Sequence, residues 1–156
     1  MIPTMPVTTV MKKWRDILAA DPAVKAFCLS KYGKEPMIFL GNDVRNSPEE
    51  DSCPYIMLLP GDKVEGMLKE YEYQASIGWV IYQEEVTVTG NVVEFNGLTE
   101  VDELGQLILK AVNEGGSVPF KRIDYDIDYM AMQPQYGGRM DIKIEIPFTI
   151  GGTIEY

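Results

Sequence analysis

Three aspartates at alternate positions, Asp124, Asp126 and Asp128, are the residues best suited by type to hold a divalent cation. An EF-hand calcium loop needs a glycine at its sixth position and a bidentate glutamate at its twelfth. Counted from Asp124, those positions hold Tyr129 and Gln135. The aspartates also alternate with Ile123, Tyr125, Ile127 and Tyr129, the pattern of a strand with one wet face. The row is expected to be that wet face, or to meet bases such as Arg139 or Lys143 across an interface. Glu49-Glu50-Asp51 and Glu84-Glu85 have the chemistry of an acid/base pair, but neighbouring acids on loops are ordinarily solvated. The chain has no histidine, which removes the commonest general base and metal ligand and every Ser–His or Cys–His nucleophile. Cys28 and Cys53 form no CxxC and no zinc spacing; among apolar neighbours they read as buried free thiols, with a disulfide left open. Gly61-Asp62 and Gly137-Gly138 read as turns, and no phosphate-binding glycine motif is present. No catalytic residue, cofactor or metal is expected.

The elements that carry these residues follow from apolar spacing. Val7, Val10, Met11, Trp14, Ile17 and Leu18 make one helical stripe over about 5–20, with Thr4 as a cap and Asp21-Pro22 as the stop. A second short helix, about 22–31, carries Val24, Phe27 and Cys28 and stops at Gly33. Met37 to Leu40 is a short strand, 41–52 a polar loop, and Cys53 to Pro60 a strand whose apolar run suggests burial on both faces. Tyr73, Ala75, Ile77, Trp79 and Ile81 fall on one face of a long strand. Val86–Thr89 and Val92–Phe95 flank Gly90-Asn91, a two-residue hairpin turn. Thr99 opens a helix over about 99–114, with Asp102 completing a capping box. Ile123–Ala131 and Met140–Phe148 form a closing hairpin around Gln135–Gly138, and Thr153–Tyr156 a flexible tail after Gly151-Gly152. The pattern specifies one α+β domain, residues 1–156: an antiparallel sheet with two main helices on one face and a protruding β-hairpin.

Twenty-four acidic against 14 basic residues give a net charge of −10. That field disfavours a DNA-binding groove and anionic membranes, yet suits a surface that DNA slides past. No apolar run reaches the ~20 residues of a membrane span, and Met1 to Val10 does not read as a signal peptide. Synthesis in a reducing cytoplasm is the default.

In the order and length of its elements the chain resembles the tail terminator (tail completion) proteins of tailed bacteriophages. The resemblance rests on the Trp14–Ile17–Leu18 helix, the Cys53-Pro54-Tyr55-Ile56 strand, the Tyr73–Ile81 strand, the Val101–Val112 helix and the closing hairpin ending Thr149-Ile150-Gly151-Gly152. The 84–97 hairpin looks like an insertion. The resemblance implies a virion protein, made in the bacterial host cytoplasm. It would form a homo-oligomeric ring, usually a hexamer, at the head-proximal end of the tail tube. Its partners would be itself, the tail tube protein and a neck or connector protein, with DNA passing through unbound. Other readings are a head–tail connector or a small non-catalytic binding module.

Subunit contacts are expected on the long strand, the hairpin and the tail, at Trp79, Ile81, Tyr82, Val86, Val88, Val92, Phe95, Ile154 and Tyr156. For the aromatic strand, packing in the chain's own core is the competing reading. For the hairpin, the competing reading folds it back onto its own sheet.

Overall fold

The structure is a computed structural model that describes residues 3–66, 69–128, 133–147, 154 and 156. Helix α1 (Val7–Ala20) buries Val10, Met11, Trp14 and Leu18 along the expected stripe. Its N-terminus has no side-chain cap; Thr4 donates instead to Glu65 Oε1 at 2.8 Å. Asp21 leaves α1 in extended geometry and caps α2 (Pro22–Tyr32), accepting the Val24 N–H at 3.0 Å. Gly33, at φ 75°, closes α2 in the left-handed region. Strand β1 (Met37–Leu40) follows, and a 3-10 turn (Glu50–Ser52) precedes β2 (Tyr55–Val64). After it come β3 (Glu70–Tyr82), β4 (Val86–Thr89), β5 (Val92–Phe95), α3 (Asn96–Gly115), β6 (Phe120–Ile127) and β7 (Gln135–Pro147).

The fold is α+β, with a five-stranded sheet in the order β1-β2-β3-β7-β6 and helices on one of its faces. The sheet is mixed rather than wholly antiparallel, because β1 pairs parallel with β2. A parallel neighbour needs a long crossover, and the polar stretch 41–54 supplies it. β3 is the central strand, paired antiparallel to β2 and, from Glu70 to Tyr82, to β7. Its odd-numbered residues, Tyr71 to Ile81, are all at most 1% exposed. Trp14, Leu18, Ile56, Leu58, Leu104, Ile108 and Ile144 are fully buried. Ile127 is only half-buried and Ile123 is 40% exposed, because β6 is an edge strand. β2 alternates rather than burying both faces: Ile56 and Leu58 point inward, while Tyr55 and Met57 are half-buried on the other side.

Three local readings are corrected. Gly61-Asp62 is not a turn; both residues lie within β2, where its register with β3 shifts between Pro60 and Lys63. Gln135–Gly138 is not a turn; it is the start of β7, with Gly137 opposite Val80 and Gly138 opposite Trp79. Those glycines extend the pairing with β3, a partner remote in sequence. Helix α3 begins at Asn96, and the Thr99–Asp102 box does not form. Thr99 leans back to Glu94 at 3.4 Å, and Asp102 Oδ1 accepts the Tyr125 hydroxyl at 2.6 Å. Residues 129–131, the expected end of the first strand of the closing hairpin, lie outside the described residues.

Glu65, 12% exposed, ties the N-terminal segment to the β2–β3 end. It pairs with Lys63 and accepts from the Thr4 hydroxyl at 2.8 Å, the Met5 N–H at 3.1 Å and the Tyr73 hydroxyl at 3.0 Å. Burial opposes its ionisation, but these donors outweigh burial and hold the carboxyl below its ordinary value. A depressed carboxyl stabilises the fold above the unfolded-state value, and that contribution is lost as pH falls through the folded one. Glu65→Gln should therefore cost about 1–3 kcal/mol at neutral pH and much less in acid, once the pH has fallen through the depressed folded-state value. Urea denaturation under the two conditions checks this; an equal loss in both would refute the linkage.

Candidate functional site

The hairpin β4–β5 forms a two-stranded sheet of its own, separate from the main sheet. Thr89 pairs with Val92 across Gly90-Asn91, and Gly90 has φ 62° while, among the described residues, no non-glycine residue has positive φ. Positive φ at the first central residue alone is the signature of a type II′ turn, whose twist suits a hairpin. The register sorts the side chains. Val86 faces Phe95 and Val88 faces Val93 on one side; Thr87 faces Glu94 and Thr89 faces Val92 on the other. The apolar face is thus Val86, Val88, Val93 and Phe95, exposed by 38%, 66%, 57% and 44%. Val92 belongs to the opposite face, a correction that follows from the two-residue loop. That second face is polar and turns toward α3: the Thr87 hydroxyl donates to Asn96 Oδ1 at 2.9 Å, and Thr87, Glu94, Thr99, Glu103 and Lys31 line a cleft of about 270 Å³.

Several other expected contact residues are turned inward. Trp79 and Ile81 are fully buried in the chain's own core and cannot offer their side chains to a neighbour. Ile154 and Tyr156 are half-buried against the same core, with Trp14 Nε1 donating to the Tyr156 hydroxyl. The described end of the tail therefore packs on its own chain, because Trp14 and the core beside it offer an apolar seat; Thr153 and Glu155 lie outside the described residues. Tyr82 is half-buried on the helix-free face and donates to Glu84, whose carboxylate pushes the phenol up to about 12.

The helix-free face of the main sheet is polar at one end and bare at its centre. Lys121 bridges Glu72 and Glu145, and Lys143 lies 3.8 Å from Glu72. Asp124 pairs with Arg122 at 3.0 Å. Asp126 stands in register with Arg139, yet Arg139 turns to Asp141 at 3.1 Å. The aspartate row is an edge-strand face, extended rather than looped, and among the described residues no group of three or more Cys, Asp or Glu is placed to hold a metal ion. Beside it lies a groove of about 410 Å³ with Tyr55, Met57 and Val80 on one side, Asp126 and Arg139 on the other, and Gly78 and Gly137 as its floor. These two glycines are not imposed by packing: a Cβ on Gly137 would meet its nearest atoms at 3.6 Å, and one on Gly78 at 3.8 Å. Gly138 is different, because a Cβ there would overlap the Trp79 ring. Cys28 and Cys53 are free and buried, and burial pushes the Cys28 thiol up to about 12, so it is not a ready nucleophile.

Among known proteins, the chain matches no family model and no curated protein. The surface that emerges is an uncovered apolar hairpin face and a glycine-floored groove. The hairpin was visible in the sequence; the groove was not, since its walls come from four strands and a loop.

The groove floor yields a paired test. Gly137→Ala should be neutral or stabilise by about 0.5–1 kcal/mol, as for a glycine released from a strand interior. Gly138→Ala should cost about 1–3 kcal/mol through overpacking against Trp79. Thermal or urea unfolding of both variants decides; equal losses would mean that the bare floor is a folding requirement.

Proposed function

We propose that this chain is a non-catalytic structural subunit, one copy in the ring of a phage tail terminator. The ring would close the head-proximal end of the tail tube, join it to a neck protein and let DNA pass without binding it. The resemblance in element order supports this reading, and so does the acidic net charge of −10. The observation that carries it is the face formed by Val86, Val88, Val93 and Phe95, four apolar side chains that the chain's own core leaves uncovered. On a monomer such a projecting patch invites association. A head-to-tail contact that closes by rotation buries every copy of it without open polymerisation. The groove on the helix-free face favours a second reading, a small binding module, which would work as a compact monomer.

Val88→Glu with Val93→Glu places two charges on the exposed face and leaves the core untouched. The parent should sediment as an oligomer and show rings with a central hole in negative stain. The double variant should sediment as a monomer with an unchanged circular dichroism spectrum. A monomeric parent, or a variant that assembles as the parent does, would remove the ring reading.

A further inference from the structure

Glu100 is the one charged residue buried among the described residues, 7% exposed near the start of α3. Burying a carboxylate costs several kcal/mol unless it is fully bonded, and an apolar residue beside Val101 and Leu104 would spare that cost. The bonds of Glu100 run to three places. Tyr32, at the end of α2, donates its hydroxyl to Oε2 at 3.2 Å. Lys31 approaches Oε1 at 4.0 Å. Gln83, the first residue after β3, donates its side-chain amide to both oxygens, at 3.2 and 3.0 Å. The other end of that amide is also used: Gln83 Oε1 accepts the Glu85 N–H at 3.1 Å. Glu85 is the last residue before the hairpin, and its carbonyl accepts the Asn96 N–H at 3.2 Å where the hairpin returns to α3.

A second clamp grips the same root from the sheet side. Gln133 donates to the Glu84 carbonyl at 2.6 Å and accepts the Tyr136 hydroxyl, also at 2.6 Å. The Tyr136 ring lies where a Cβ of Gly97 would be, so the first turn of α3 is seated on it. The hairpin itself contributes no core residue. Its direction is therefore set at the root, by polar groups with directional bonds, and not by packing along its length.

We infer that Glu100 is a positioning residue for the hairpin: through Gln83 it fixes the direction in which the Val86–Val88–Val93–Phe95 face is presented to a second copy of this chain. This rests on the reading of that face as the subunit contact. A preset direction spares a partner the cost of ordering it, and a ring closes only if every contact repeats one rotation. The buried carboxylate then serves geometry rather than stability.

The discriminating variant is Glu100→Leu, which keeps side-chain bulk and deletes the acceptor; Gln83→Ala breaks the same link from the other side and leaves the buried position intact. Nitroxides on cysteines at Asn91, in the hairpin turn, and Lys110, on the outer side of α3, report the direction by pulsed electron resonance, with labelled chain diluted in unlabelled chain. Glu100→Leu should keep the parent's melting temperature within a few degrees or exceed it, since a buried ion replaced by an apolar group is often stabilising; Gln83→Ala, which leaves the carboxylate without its amide donor, should melt lower than the parent. The distance distribution should widen about twofold, and with the competent direction populated about one-tenth of the time, association should weaken about tenfold. A distribution as narrow as the parent's in Gln83→Ala or in a folded Glu100→Leu overturns the inference. A parent that never assembles removes the ring reading, while the distance distributions still decide whether Glu100 sets the hairpin's direction.

Discussion

The indole of Trp79 is the constraint around which the rest of the chain is arranged. It lies in the C-terminal half of the central strand, fully buried, and its Nε1–H donates to the Val101 carbonyl of α3 at 2.8 Å. Its ring occupies space that a side chain at Gly105 of α3 or Gly138 of β7 would need. Tyr125 of β6 packs beside it, ring centroids 5.5 Å apart. One side chain thus sets how closely α3 approaches the sheet, and it reaches two strands on the far side of its own. A buried aromatic with a satisfied N–H supplies both area and direction. The donor bond matters here because it goes to a backbone carbonyl, so it locates the helix itself.

From that centre the two faces of the sheet diverge. The inward residues of β3, from Tyr71 to Ile81, alternate with Glu72, Gln74, Ser76, Gly78 and Val80 on the helix-free face. Period-two geometry makes this separation unavoidable. The inward face is a packed core with Trp14 and Leu18 of α1 and Leu104 and Ile108 of α3. The helix-free face carries ion pairs around Lys121 and Lys143 and the glycine-floored groove. Exposed pairs of this kind add little to stability; they set the electrostatic character of a surface that is left open.

The hairpin departs from this scheme because it belongs to neither layer. It leaves the sheet where β3 ends and returns as the first turn of α3, so its root lies between Gln83 and Asn96. Packing holds the rest of the fold, whereas the polar contacts of Gln83, Glu100 and Gln133 hold the root. An isolated two-stranded hairpin is marginal in water; anchoring to a rigid body at both ends compensates for that.

Local pattern alone determined the α+β class, the helical stripe from Val10 to Leu18, the alternation of β3, and the hairpin around Gly90-Asn91. Each depends on residues a few positions apart, where side-chain period and turn chemistry act directly. Partners distant in sequence decided the rest. Gly137-Gly138 has the composition of a turn, but pairing with Val80 and Trp79 makes it strand. The period of Ile123 matches that of Ile144, yet only Ile144 is buried, because β7 has neighbours on both sides and β6 on one. Register moved Val93 onto the apolar hairpin face and Val92 off it, since a two-residue loop fixes which positions oppose. Glu100 looks in the sequence like any helical glutamate; only the approach of Tyr32, Lys31 and Gln83 from two other elements makes it a buried hub. Spacing reveals which way a residue can face, and only the folded chain determines what it meets there.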